Sequence, residues 1–157
     1  MNWIIESTER LKFHTNLNEL FKGDWIDIYK YNWIVSDLDF YYIDPEDFSV
    51  NFEDDYFILT PDQFQKIVDT DFQLIWGVIC AIPINETINF KDNLPPFADG
   101  NSELWKNGNL QVKNAVAEII AWDSSYTFAK FSDKDISDKF KAVNKEAIAL
   151  EKYKFHL

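Results

Sequence analysis

The sequence predicts an α+β fold, a mostly antiparallel sheet with helices packed on one face, formed as a single domain over residues 1–157. Three observations carry this. Aromatic-rich segments alternate apolar and polar side chains with the two-residue period of strands, other segments carry apolar stripes and caps of helices, and the order runs helix, strands, helix, strands, helix with a hairpin before the last helix. A doubly wound fold would need regular strand–helix alternation, which is missing. With 46% apolar and 17% aromatic residues, 4 Gly and 5 Pro, the chain also has the apolar surface that a disordered chain lacks.

Residues 7–22 place Leu11, Leu17, Leu20 and Phe21 at roughly helical spacing, with Gly23 past the end as a C-terminal cap, and predict a first helix. Residues 25–42 change to alternation, with Trp25, Asp27, Tyr29, Tyr31 and Trp33 on one face and Ile26, Ile28 and Lys30 on the other. Two strands with a tight turn near 30–32, or one long bent strand, fit this pattern. Residues 44–55 hold a Pro and several acids, and residues 56–59 read as a short strand.

Thr60-Pro61-Asp62-Gln63 has a capping residue, Pro at the first helical position, an acid in the first turn and Gln three residues after the cap, so a helix runs from here to about Asp69. Residues 72–82 read as an apolar strand buried on both faces and ended by Pro83. Between residues 85 and 108, Pro95-Pro96, Asp99-Gly100 and Asn107-Gly108 are turn formers, predicting a long connection of the kind that often carries function. Residues 112–122 and 126–131 form a hairpin about Asp123-Ser124-Ser125, and Ser132 or Asp133 caps a final helix with the stripe Ile136, Phe140, Val143, Ala147 and Leu150.

Fifteen Lys+Arg against 27 Asp+Glu leave a net charge of −12. Such a chain repels a phosphate backbone, so nucleic acid is excluded as a partner and a basic protein is the natural complement. Cys80 stands alone, which excludes a disulfide scaffold and reads as a buried small hydrophobe. The apolar runs at 74–84 and 115–122 are too short for a bilayer, and no basic region followed by an apolar segment opens the chain. A soluble, cytoplasmic protein is therefore expected, with its oligomeric state open.

The charge is unevenly placed. Between Tyr31 and Gln65 lie nine acids, Asp37, Asp39, Asp44, Glu46, Asp47, Glu53, Asp54, Asp55 and Asp62, with no Lys or Arg, while residues 130–157 hold seven Lys and five acids. Trp33, Phe40, Tyr41, Tyr42, Phe48, Phe52, Tyr56 and Phe57 interleave with those acids. A mixed surface of this kind suits protein recognition, because aromatic anchors supply burial and carboxylates steer a cationic partner. The candidate partner-binding residues are Asp37, Asp39, Tyr41, Tyr42, Asp44, Glu46, Asp47, Glu53, Asp54 and Asp55. The competing reading puts the aromatics in the core and leaves the acids as a solvated face.

Other chemistries fit less well. Asp37-x-Asp39 and Glu53-Asp54-Asp55 lack the calcium-loop spacing, and His14, His156 and Cys80 are too far apart in sequence for a zinc motif. Asp123-Ser124-Ser125 is no nucleophile elbow, and scattered glycines build no phosphate cradle. Paired carboxylates beside tryptophans also fit a glycosidase or sugar-binding cleft, which makes a small hydrolase or carbohydrate-binding module the alternative. No cofactor or metal is implied, and a non-enzyme is expected.

Three stretches carry a resemblance: Trp25-Ile26-Asp27-Ile28-Tyr29, Tyr56-Phe57-Ile58-Leu59-Thr60-Pro61-Asp62, and Glu118-Ile119-Ile120-Ala121-Trp122-Asp123-Ser124-Ser125 before the last helix. In these the chain resembles the small acidic immunity proteins that accompany bacterial polymorphic and contact-dependent growth inhibition toxins. The resemblance implies a non-enzyme that binds one cognate toxin, often a basic nuclease, and covers its active site. It carries over no site residue.

Overall fold

Seven strands form one sheet in the order β3-β2-β4-β5-β6-β1-β7, and every neighbouring pair is antiparallel. The strands are β1 (Asn2–Ile5), β2 (Tyr31–Tyr41), β3 (Tyr56–Leu59), β4 (Gln73–Pro83), β5 (Ala117–Trp122), β6 (Tyr126–Phe131) and β7 (Ile148–Ala149). The helices are α1 (Leu17–Leu20), α2 (Pro61–Val68) and α3 (Lys134–Val143). The structure, a computed structural model, describes residues 1–41 and 50–154. The expected α+β architecture is the one observed. Among the described residues no helix is long and apolar enough to cross a membrane.

The helices cover one face of the sheet. There Trp33 stacks on Phe64 of α2 with ring centroids 4.0 Å apart, and Trp25 meets Phe140 of α3 edge-on at 5.0 Å. Both indole N–H groups are satisfied inside this layer, Trp25 donating to the Leu20 carbonyl at 2.8 Å and Trp33 to that of Ile28 at 3.2 Å, as buried tryptophans require. The other face, lined by Ile4, Ile34, Val78, Cys80, Ile82, Ile120 and Phe128, is closed by the long connection through Ala98, Leu104, Val112 and Ala115. The connection is thus a packed layer of its own. β4, covered on both sides, shows the continuous apolar run expected of a strand with no solvent face.

The strongest local signals match the structure. Thr60 accepts from the Gln63 N–H and the Gln63 side chain accepts from the Thr60 N–H, closing the capping box of α2. Asp123 and Ser124 both have positive φ, giving the β5–β6 hairpin the mirror-image turn whose twist suits paired strands.

Several expectations are corrected. The first helix is a single turn, because Lys12 and Thr15 adopt positive φ and break the path; Leu11 is buried from a turn instead. Residues 25–30 are not strand: Trp25 plugs the helix-side core, and a 3-10 turn at Ile28–Lys30, capped by Asp27, leads into β2. β1 went unanticipated, since Ile4 and Ile5 are buried on opposite faces and four residues show no alternation. The strand expected at 112–122 begins only at Ala117, with Val112 making a lone bridge to Phe90. α3 ends at Val143, so Ala147 reaches the helix-side core from beyond the helix and Leu150 belongs to the opposite layer.

Loss of the capping box has a calculable effect. Thr60→Ala is expected to lower unfolding stability by about 1 kcal/mol, read as a lower urea midpoint with unchanged m.

Candidate partner-binding site

The site is built on a row of polar side chains that the sheet register brings together. Cys80 faces Glu118 across β4–β5, Glu118 faces Lys130 across β5–β6, and Lys130 faces Asn2 across β6–β1. Glu118 and Lys130 are both 0% exposed. Their hydrogen bonds go to the long connection: Glu118 accepts from the Gln111 N–H at 2.8 Å and from Gln111 Nε2 at 3.3 Å, and Lys130 Nζ donates to the carbonyls of Lys106 at 3.0 Å and Asn109 at 3.3 Å. The segment 106–111 is strapped over the sheet by two buried charges of opposite sign. Burial pushes the Glu118 carboxyl up, against the Gln111 hydrogen bonds and the Lys130 charge, and lowers the Lys130 ammonium to about 8. Cys80 donates toward Glu118 at 3.8 Å, and burial followed by the Glu118 charge raises its thiol, opposite to what a nucleophilic cysteine needs.

The strap extends outward through Gln111. Its Oε1 accepts from the Phe97 N–H at 2.9 Å and from Asn101 Nδ2 at 3.1 Å. A second anchor comes from the acidic segment: Asp37 Oδ2 accepts from the Ala98 N–H at 2.7 Å and the Asp99 N–H at 2.9 Å. Asp37 has φ +52° and sits where the β2–β4 register shifts, a bulge residue whose backbone suits Asp or Asn better than most side chains. The bulge changes the parity of β2. Before it Trp33 and Val35 face the helices; after it Leu38 and Phe40 do, leaving Asp39 and Tyr41 on the opposite face, where Asp39 pairs with Trp76.

The predicted residues therefore divide. Asp37, Asp54 and Asp55 come together around a shallow pocket of about 350 Å³ completed by Leu38, Phe52, Pro95, Pro96 and Phe97. Glu53 is exposed on the same loop, and Asp39 and the 63% exposed Tyr41 line the outer part of β2 outside this pocket. Tyr42, Asp44, Glu46 and Asp47 lie outside the described residues. Of the aromatics interleaved with the acids, Trp33 is fully buried and Phe40 and Phe57 pack on the core, whereas Tyr41 and Tyr56 remain exposed, with Tyr56 edge-on to Phe90 at 5.0 Å.

No ion pair among the described residues involves Asp37, Asp39, Glu53, Asp54 or Asp55. Among the described residues no group of three or more His, Cys, Asp or Glu is placed to hold a metal ion. Sequence reasoning missed the Pro95–Phe97 wall and an aromatic row on the face opposite the helices, in which Trp76 and Trp122 lie 5.0 Å apart and Trp122 and Trp105 5.4 Å. The Pro95-Pro96 pair was the available signal, marking an ordered point in the connection. The arrangement presents exposed carboxylates beside exposed aromatic side chains.

Asp37→Ala should cost roughly 2 kcal/mol, by stranding the buried Ala98 N–H and placing Ala at positive φ, and speed amide exchange at Ala98 and Asp99. Glu118→Ala should destabilise by about 2 kcal/mol, because it strands the Gln111 N–H and side-chain amide beneath the connection, and Glu118→Gln by less. Lys130 is at about 8 in the folded chain against the ordinary 10.5, so between these values the unfolded chain binds the extra proton and this group raises stability as pH rises. Lys130→Met should remove that slope, measured as urea unfolding free energies at pH 8 and 10. No known protein family, curated protein or solved structure matches the chain.

Proposed function

We propose that this protein is an immunity-type inhibitor that binds and neutralises a basic, nuclease-type bacterial toxin in the cytoplasm, through the acidic and aromatic surface of β2, the loop before β3 and the Pro95–Phe97 wall. It acts by occupation, with its carboxylates standing where the toxin would receive substrate phosphates. The observation that carries this reading is the set of exposed carboxylates Asp39, Glu53, Asp54 and Asp55, outside every ion pair among the described residues and adjoined by exposed Tyr41, Tyr56, Ile58 and Phe97. Unneutralised acids accelerate encounter with a cation-rich partner, and apolar anchors beside them supply the short-range energy of a hot spot.

A hydrolase or sugar-binding reading draws on the pocket shared by Asp37, Asp54 and Asp55, but it is the weaker one. Acid–base catalysis needs one carboxyl raised by burial. Asp54 and Asp55 are exposed, Asp37 is already committed to two backbone N–H groups, and the buried carboxyl, Glu118, is sealed beneath the connection.

The test uses the polypeptide encoded beside this chain's gene, purified as an inactive variant. Binding to the wild-type chain should show an association rate that falls steeply with salt. The combined variant Asp39→Lys, Glu53→Lys, Asp54→Lys and Asp55→Lys should associate at least about tenfold more slowly while its thermal midpoint stays within a few degrees. Neutralisation that survives the charge reversal would sink this reading.

A further inference from the structure

Two pockets meet at one ridge. Pro95 and Phe97 line both the acidic pocket, with Asp37, Asp54 and Asp55, and a second pocket of about 240 Å³ whose apolar lining includes Leu94, Leu104 and Leu110. Lys91, Asp92, Asn101, Glu103, Asn109 and Gln111 also line the second pocket, so its charges are mixed. Leu94 is 58% and Phe97 41% exposed, in a segment the fold otherwise holds firmly. Asp37 holds the N–H groups of Ala98 and Asp99, Gln111 holds that of Phe97, and Asn101 Nδ2 donates to the Phe97 carbonyl at 3.0 Å. A ridge ordered before binding loses little entropy when a partner arrives. Two large apolar side chains kept largely in water on such a ridge belong to neither buried core cluster.

We propose that the Pro95–Phe97 ridge is the recognition element of the interface: a partner segment straddles it, setting a Lys or Arg side chain against Asp54 and Asp55 and an apolar side chain in the pocket lined by Leu94, Leu104 and Leu110. This rests on the inhibitor reading and names the chemistry of the partner, a segment with a cation and an apolar residue close in sequence. Charge complementarity selects the occupant. The acidic pocket contains three carboxylates and no Lys or Arg. Its apolar neighbour is smaller than the roughly 300–1,000 Å³ of small-molecule sites, which suits a single inserted side chain.

The test is selection of random peptides displayed on phage against the full chain, followed by affinities of the enriched synthetic peptides. These peptides should pair Lys or Arg with a nearby Leu, Ile, Met or Phe. Binding should weaken about tenfold in Leu94→Ser/Phe97→Ser and again about tenfold in Asp54→Asn/Asp55→Asn. All four positions are exposed, and an unchanged thermal midpoint will show that the variants fold. Enriched peptides lacking either residue type, or binding indifferent to Leu94→Ser/Phe97→Ser, overturn the proposal. So does a wild-type dimer in sedimentation that this double variant abolishes, because the ridge would then be filled by a second copy. If charge reversal blocks toxin binding while the ridge variant does not, the ridge proposal fails and the inhibitor reading stands. Peptides that bind at the ridge of a chain unable to neutralise the neighbouring toxin give the reverse result.

Discussion

The buried pair Glu118 and Lys130 is the constraint on which the second layer of this protein depends. An antiparallel sheet covered by helices on one side can leave its other side to water, with polar residues at alternate positions. Here that side is apolar and is closed by a connection with little regular structure of its own, whose backbone groups need partners. Glu118 and Lys130, facing each other on adjacent strands, provide them from below by accepting from Gln111 and donating to Lys106 and Asn109. Hydrophobic contacts through Leu104, Val112 and Ala115 then complete a layer whose path is set by polar geometry. Two apolar residues at these positions would avoid the desolvation cost but would leave the Gln111 N–H and the Lys106 and Asn109 carbonyls without these partners.

The outer surface inherits this order. Gln111 links the buried carboxylate to the Phe97 backbone, and Asp37 reaches the same segment from β2, so the wall beside the exposed acids is fixed from two directions. The bulge at Asp37 has a second effect. Without the extra residue, the parity of β2 would turn Asp39 and Tyr41 toward the helix-side core and Leu38 and Phe40 away from it. One backbone irregularity thus keeps both the core and the charged face intact.

Where the sequence could be read, the determinants were local. Thr60 and Gln63 report α2 through bonds only three residues long, and the Asp123–Ser124 turn lies between two alternating runs. Where it could not, the cause was burial on both sides or a tertiary override. Ile4 and Ile5 face opposite cores, and Trp25 continues an apparent strand period while serving as a plug between α1 and α3. At the candidate site, the acid run could be counted from the sequence because a charge excess needs no contact to be seen, and the structure leaves Asp39, Glu53, Asp54 and Asp55 exposed. The role of Asp37 as an anchor, and the approach of Phe97 to Asp54 and Asp55, depend on residues some forty to sixty positions apart in sequence and left no local trace.

The position of β1 bears on how the chain assembles. Asn2 faces Lys130 and Ile4 faces Ile148, so β1 lies between β6 and β7 and cannot pair with β6 until residues 127–130 have been made. The β2–β4 and β4–β5 pairs form from segments nearer one another and have no need of it. The pairings in the middle of the sheet thus span shorter stretches of chain than the one that seats β1 against β6. Insertion of β1 is the long-range closure that slow folding of high-contact-order sheets reflects. Until then β6 presents an unpaired edge, the interval in which a nascent chain is most exposed to mispairing.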